Sequence, residues 1–215
     1  MAIVSTHAMG AVTLRRSLRA KMFRKWPRII VIGGQCRNVG KTALVVDVIR
    51  AFPEHDWLAV KITRHHALDD NSAGYRFRAE TDRSGHSDSS RFLAAGAARS
   101  FLLEARRAHL GEAMAELRTL MSGAENVIIE STVVLDYVSA SLAILVLDPR
   151  RTDFKASARR LLGIADGFVL RAPLLARSWP GVDTRIIRAR ACFPQPLRGP
   201  VPARLRGRVQ RALGK

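Results

Sequence analysis

The chain has 215 residues, 47% of them hydrophobic, which is enough for one sizeable hydrophobic core. Its longest apolar runs are far shorter than the roughly 20 residues of a membrane-spanning helix, and basic residues interrupt every candidate signal-peptide segment. Its two cysteines, Cys36 and Cys192, are too few for a disulfide framework and lack Cys-x-x-Cys spacing. We therefore expect a cytoplasmic protein with one globular domain.

The formal net charge of +18 is distributed unevenly along the chain. Residues 1–28 carry +7 and residues 171–215 carry +10, whereas residues 29–170 carry only +1. We therefore expect a basic, flexible N-terminal arm (1–28), a globular domain (29–172) and a basic, proline- and arginine-rich C-terminal extension (173–215). The basic ends are either solvated segments of an arginine-rich sequence or contacts for a polyanion, such as nucleic acid or a membrane surface.

The hydrophobic pattern predicts strands that alternate with helices. Short apolar or β-branched runs predict strands at 28–32, 57–62, 101–103, 126–130, 142–147 and 167–170. Apolar residues at helical spacing predict helices at 42–52, 89–97 (capped by Ser87 or Asp88), 110–121, 154–162 and 201–213. The polar segment 63–87 has no clear period and is expected to form a loop or a small hairpin. The alternation predicts an α/β fold with a doubly wound, mostly parallel sheet.

A glycine-rich segment joins the first predicted strand to the first predicted helix. It ends in Gly40-Lys41-Thr42, which is typical of a phosphate-binding loop (P-loop), although five residues instead of the usual four follow Gly34. In such a loop the backbone N–H groups and the helix N-terminus face the phosphates, the lysine supplies charge and the threonine ligates Mg²⁺. We predict a P-loop fold that binds GTP or ATP with Mg²⁺ through Gly34, Asn38, Val39, Gly40, Lys41, Thr42 and Ala43.

Two further residues are candidates for chemistry beside Lys41. Glu130 ends a buried strand, at the edge where such sheets bind ligands, and is predicted to hold Mg²⁺ with Thr42 or to orient water. Arg37 is predicted to neutralise charge on the γ-phosphate, within one chain or across a homodimer. Alternatively, Glu130 is a carboxylate with a structural role and Arg37 is exposed to solvent without a role in the site. We thus take Lys41, Glu130 and Arg37 as the candidate catalytic residues.

Asp88 and Arg91 are three residues apart and lie on one face of the predicted helix at 89–97. They are expected either to hold a phosphate-bearing ligand or to form an ordinary ion pair. Asp148 also ends a strand, but the proline after it favours a capping role.

Two families resemble parts of this sequence. The long loop followed by Val-Gly-Lys-Thr looks like the loop of dethiobiotin synthetases and related amidoligases. Further along, the sequence 87–97 (SDSSRFLAAGA) is similar to the pattern G-K-D-S-x-R-x-x-x-A-G-A of the molybdopterin-guanine dinucleotide biosynthesis protein B family. Lys61, His65 or His66, and Glu130 also stand where that family has a lysine, histidines and a glutamate.

The second resemblance implies a GTP-binding accessory protein of molybdenum-cofactor maturation, a slow GTPase that contacts a molybdopterin-type cofactor and a partner transferase. It implies ligand-binding roles for Lys61, Asp88 and Arg91. The sequence departs from the family where Ser87 replaces a lysine and Ser131-Thr132 replaces glycine-phenylalanine, and it lacks an Asn-Lys-x-Asp sequence for guanine. Two other functions stay open: a small-molecule kinase or ATP-dependent ligase similar to dethiobiotin synthetase, and a non-catalytic polyanion-binding module that uses the basic ends.

Overall fold

The computed structural model describes residues 26–64, 74–174, 179–197 and 199–214. Within these residues the strands are β1 (Arg28–Gly34), β2 (Trp57–Arg64), β3 (Tyr75–Ala79), β4 (Arg99–Ala105), β5 (Asn126–Glu130), β6 (Leu142–Leu147), β7 (Gly167–Leu170) and β8 (Ala191–Pro194). The helices are α1 (Lys41–Ala51), α2 (Asp88–Ala94), α3 (Leu110–Met121), α4 (Ala156–Leu161), α5 (Thr184–Arg188) and α6 (Ala203–Ala212), with short 3-10 helices at Arg107–His109 and Val134–Asp136.

The strands form one sheet in the order β3-β4-β2-β5-β1-β6-β7-β8. Its neighbouring strands are parallel, except that β3 runs antiparallel to β4. The strand that precedes the predicted phosphate loop, β1, lies between β5 and β6. The carboxyl ends of β1, β2 and β5 therefore meet at one edge of the sheet, where Ile32 and Lys61 each stand opposite Glu130.

Both faces of the sheet are covered, because the buried residues of β1 alternate between them. Ile30 and Ile32 pack in one core with α1, α2 and α6, and Ile29 and Val31 pack in another with α3. A third core lies beside the second and joins β6 and β7 to α4 and α5. The structure thus confirms the predicted α/β fold with a doubly wound, mostly parallel sheet.

The sequence predicts Ser87 or Asp88 as the N-terminal cap of helix α2, and in the structure the cap is Ser87. The Ser87 hydroxyl accepts a hydrogen bond from the Ser90 backbone N–H, and the Ser90 hydroxyl accepts one from Ser87, which forms a capping box. Glu80 accepts hydrogen bonds from the hydroxyls of Ser87 and Ser89, so the end of the β3 segment is tied to the start of α2.

Within the described residues, one α-helix and two strands were not predicted from the hydrophobic pattern: α5, β3 and β8. β3 is an edge strand within the segment 63–87. Residues 65–73 of that segment, which include His65 and His66, lie outside the described residues. β8 pairs in parallel with β7, and Leu205 and Val209 of α6 are buried in the core that contains α1. Much of the segment 173–215, expected to be an extension, therefore completes the sheet and covers it.

Some of the positive charge at the C-terminal end serves packing. The Arg206 guanidinium donates a hydrogen bond to the carbonyl of Ala51 at the end of α1 and lies 5.4 Å from the centre of the Phe52 ring. The positive charge of Arg206 thus interacts with the C-terminal end of α1 and with the face of an aromatic ring. The N-terminal residues 1–25 lie outside the described residues. None of the helices described is long and apolar enough to cross a membrane.

Candidate functional site

The loop between β1 and α1 has the tight backbone that a phosphate loop requires. Asn38 and Gly40 both adopt the left-handed conformation, with φ of 56° and 93°. A Cβ atom on Gly34 would lie 2.6 Å from Val39 Cγ1 and 2.7 Å from Lys41 Cγ, so only glycine fits there without a shift. The side chain of Val39 itself is buried in the core, which leaves its backbone to face a ligand.

Lys41 is the first residue of α1, and its side chain folds back over the loop. Its ammonium group donates a hydrogen bond of 2.8 Å to the carbonyl of Cys36. Burial lowers the pKa of Lys41; the nearby carboxylate of Glu130 opposes that shift, and the positive charges of Lys61 and Lys155 add to it. An anion bound in the loop would offset these costs, because it would supply the opposite charge.

A continuous chain of polar contacts links five of the predicted site residues. The Thr42 hydroxyl donates a hydrogen bond of 2.7 Å to one carboxylate oxygen of Glu130, and the ammonium of Lys61 binds the other. The same ammonium lies 2.8 Å from Asp88, which is 3.9 Å from Arg91. The fold therefore brings together residues from α1, β2, β5 and α2 that are far apart in sequence.

The two carboxylates of this chain differ in exposure. Glu130 is 1% exposed, whereas the Asp88 side chain is 42% exposed. Burial opposes ionisation of Asp88, but the hydrogen bond from Lys61 and the charges of Lys61 and Arg91 outweigh it and lower its pKa. Both groups are thus arranged as carboxylates that face cations, which is the chemistry expected around a metal-bound phosphate.

The donor set suits Mg²⁺ only with a nucleotide present. Mg²⁺ prefers oxygen ligands and is usually held by one or two carboxylates, substrate phosphates and water. The Thr42 hydroxyl and the Glu130 carboxylate, which lie 2.7 Å apart, would supply two such oxygens. No cluster of three or more His, Cys, Asp or Glu side chains in the described part of the chain is placed to hold a metal ion. Phosphate oxygens would therefore have to complete the coordination.

Gln35, a loop residue that the sequence did not single out, is fully buried and fixes the loop from behind. Its amide oxygen accepts from the Asp148 backbone N–H at 2.7 Å, and its amide nitrogen lies 3.2–3.3 Å from the carbonyls of Asp148, Arg151 and Asp153. Asp148 binds Arg150 through both carboxylate oxygens, and that pairing lowers its pKa. Asp148 thus organises a turn and does not point into the site.

Arg171 is a second residue that the sequence analysis missed. It is 6% exposed and donates hydrogen bonds to the carbonyls of Gly40 (2.7 Å), Pro196 (3.1 Å) and Gln195 (3.3 Å). Burial lowers its pKa, and the carboxylates of Asp47 and Asp148 oppose that shift. Arg171 immediately follows β7, so the strand-end rule that selected Glu130 would also have selected it.

Cys36 belongs to the same loop, and its thiol is buried. Burial and a hydrogen bond with Asp153 raise its pKa to about 11, although the charges of Arg151 and Lys41 oppose the shift. A thiol with this pKa is almost entirely protonated near neutral pH, so Cys36 is a packing residue and no nucleophile.

A cleft of about 520 Å³ opens beside the loop. Arg37, Lys41, Lys61 and Glu130 lie in its walls, which continue onto the residues that follow β5 and precede α4. Arg37 is exposed, and its side chain lines the cleft. Ala43 lies in the first turn of α1, outside the cleft lining.

No protein-family model matches the chain, and no curated protein matches it significantly in sequence. Several solved structures are similar to it. Three of them are the LAO/AO transport system kinase (16% identity, 77% of this chain and 47% of that one, TM-score 0.40), LpxK from Aquifex aeolicus in complex with ATP (17%, 75% and 54%, TM-score 0.42) and HypB from Helicobacter pylori in complex with nickel (13%, 77% and 72%, TM-score 0.37). The chain spans about half the length of the first two.

At these identities and TM-scores the similarity carries no argument about the role of the chain. The fold itself follows from the strand, the glycine loop with its folded-back lysine, and the helix that begins at that lysine in a mostly parallel sheet. The chain has the α/β fold of P-loop nucleoside triphosphatases.

Proposed function

We propose that the chain binds a nucleoside triphosphate with Mg²⁺ in the loop 34–42 and acts as a slow nucleoside triphosphatase. The observation that carries this proposal is the ammonium of Lys41, held over the loop at 2.8 Å from the Cys36 carbonyl and partly shielded from solvent. A cation held at the N-terminus of a helix, above backbone N–H groups, is the arrangement that binds β- and γ-phosphates.

The other site residues take roles that follow from their contacts. Thr42 and Glu130 hold Mg²⁺, which neutralises charge on the phosphate oxygens when bound. Lys61 pairs with Glu130 and links it to Asp88, and Asp88 orients Arg91 at the rim of the site. Arg37, which is exposed in the loop, neutralises charge that develops on the γ-phosphate.

The experiment that tests this proposal is calorimetric titration of ATP and of GTP, each with Mg²⁺, into the wild type and Lys41→Ala. We expect one nucleotide to bind the wild type and to bind Lys41→Ala at least about tenfold more weakly, because the lysine supplies a charge-assisted contact. The exposed Arg204→Gln, on α6, is the matched control and should bind like the wild type. Absence of binding to the wild type by either nucleotide would refute the proposal.

The finer role that the sequence supports is that of a GTP-dependent accessory factor in molybdenum-cofactor maturation. The support is the ordered resemblance through Lys61, the segment 87–97 and Glu130, together with the contacts that join these residues into one site. Preference for GTP over ATP in the titration favours this role. A preference for ATP argues against it, because the family binds GTP.

A small-molecule kinase or ATP-dependent ligase is the second candidate, and the cleft beside the loop favours it. A transferase needs room for an acceptor next to the terminal phosphate, and the cleft opens at Lys41 and Glu130. This candidate predicts ADP release that depends on an added acceptor. An accessory nucleoside triphosphatase, by contrast, slowly releases nucleoside diphosphate and phosphate without an acceptor.

A further inference from the structure

The cleft beside the phosphate loop continues well beyond the space that the phosphates need. Of the loop residues 34–42, all of which the structure describes, only Arg37 and Lys41 line it. The other lining residues come from the ends of β2, β4 and β5, the 3-10 helix at Arg107–His109, the start of α3, the segment 131–137, and α4 with the residue before it. The cleft therefore extends away from the loop on the side of the terminal phosphate, and a nucleotide bound in the loop would leave most of it open.

The walls of the cleft carry excess positive charge. Six lining side chains are cationic and two are carboxylates. The carboxylates already face cations, since Glu130 binds Lys61 and Asp136 lies 3.4 Å from Arg160. At the outer end, away from Lys41, the cations are Arg107 and Arg160, whereas Lys155 lies closer to the loop, since its charge lowers the pKa of Lys41. An anionic group at that end would meet a net attraction that the cleft's own carboxylates do not cancel.

Between these cations the lining combines apolar side chains with the hydroxyls of Thr63, Ser131, Thr132 and Ser157. Leu110 and Ile62 are buried beneath the cleft, and Val133 and Tyr137 are partly exposed on its wall. A fully hydrated anion such as free phosphate would gain nothing from these side chains. A molecule with an apolar body and an anionic group would bury that body and pair its charge.

We propose that this cleft binds a second ligand: a small molecule with an apolar body and a phosphate or carboxylate group, seated beside the terminal phosphate of the nucleotide. This proposal deepens the proposed function and rests on nucleotide binding in the loop. The cleft volume of about 520 Å³ lies within the range of small-molecule sites. Arg107 and Arg160 bind the anionic group, and Tyr137 and Val133 contact the body.

The test uses the full chain, saturated with a non-hydrolysable triphosphate analogue and Mg²⁺ so that the loop is filled. Phenyl phosphate, benzoate and the neutral benzyl alcohol are then titrated in by calorimetry. We expect one or both anions to bind without displacing the nucleotide, and benzyl alcohol to bind at least about fivefold more weakly. The tighter of the two anions identifies the anionic group. Equal binding of benzyl alcohol, or release of the nucleotide by the anion, would overturn the proposal.

Variants at the outer end locate the bound anion. Arg107→Gln and Arg160→Gln should each weaken binding of the tighter anion by about 3- to 10-fold, since each removes one charged contact at a partly solvated site. Asp136→Asn should strengthen it, because it removes the facing carboxylate. Arg204→Gln removes the same charge on the opposite face of the sheet and should change nothing. Unchanged affinity in the double variant at Arg107 and Arg160 would contradict the assignment.

Failure of the cleft is distinguishable from failure of the nucleotide site. If no nucleotide binds, the proposed function is wrong, and the anion is titrated into the protein alone. Binding that is lost in the double variant at Arg107 and Arg160 but kept in Lys41→Ala then still supports the cleft. Binding that is lost only in Lys41→Ala would place the anion in the loop and overturn the proposal. Circular dichroism melting confirms that each variant is folded.

Discussion

Arg171→Met tests whether the C-terminal segment supports the phosphate loop. Methionine is unbranched and apolar. The substitution therefore removes every hydrogen-bond donor of the guanidinium but keeps most of the side-chain volume that packs in the core. It leaves the carbonyls of Gly40, Gln195 and Pro196 without the guanidinium that now binds them at 2.7, 3.3 and 3.1 Å. It also removes a positive charge near Asp47. Burial raises the pKa of Asp47, and the charge of Arg171 opposes that shift.

The expected loss of stability follows from these contacts. A buried acceptor left unpaired costs about 1–3 kcal/mol, and water can reach part of the two contacts nearest the surface. Three such acceptors are affected here, and with that partial access of water we take about 3–5 kcal/mol as the expected decrease in the free energy of unfolding. For a chain of this size that decrease lowers the melting temperature by roughly 6–20 °C. Nucleotide binding should weaken as well, because Gly40 loses its anchor.

The assay is urea denaturation followed by circular dichroism, with Arg190→Met as the matched control. Arg190 also donates two hydrogen bonds to backbone carbonyls, at 3.0 Å to Leu162 and 2.6 Å to Gly163, but it is partly exposed and distant from the loop. Water replaces those contacts, so Arg190→Met should cost less than about 1 kcal/mol. If the two variants were destabilised equally, Arg171 would not be the buried anchor that its contacts indicate.

Two more predictions concern the loop itself. Gly40→Ala would place a Cβ atom 3.0 Å from the buried guanidinium of Arg171 at a φ of 93°, so it should cost about 2–4 kcal/mol in urea denaturation. Gly85→Ala, where φ is 81° and the nearest atom is 3.7 Å away, should cost about 1–2 kcal/mol, and equal losses would contradict the crowding at Gly40. In a Cys192→Ser background, Cys36 with its pKa of about 11 should react with a disulfide reagent at pH 8 about 100-fold more slowly than in urea, where a pKa near 9.0 restores thiolate. Rapid reaction of the folded protein would show that the thiol is neither buried nor protonated.

Local pattern was sufficient to predict the fold class and most of its elements. Strands such as β5 and β6 are continuous apolar runs, and helices such as α1 and α3 have apolar residues at helical spacing, so neighbours in sequence carry the signal. β3 was missed because it is an edge strand, in which exposed polar residues alternate with half-buried ones. β8 was missed because its four residues lie in a segment rich in proline and arginine, and only pairing with β7 makes it a strand.

The same division applies to the candidate site. The residues of the loop 34–42 are contiguous, and their spacing between a strand and a helix predicts their shared role. Glu130 could be predicted because a buried strand that ends in a carboxylate points to the ligand edge of a parallel sheet. The contact between Lys61 and Glu130, by contrast, depends on β2 and β5 being neighbours, which the sequence does not state.

The amino-acid sequence by itself therefore determined the alternating α/β pattern and the phosphate loop, because both depend on residues that are close together along the chain. Only the tertiary structure decided what surrounds that loop. Arg171 reaches Gly40 across 131 positions, and Gln35 reaches Asp148 across 113. It also decided that the basic C-terminal segment packs on the loop and that a cationic cleft opens beside it. Burial and charge at these places are set by which strands pair and which helices cover them, and that information is not local in the chain.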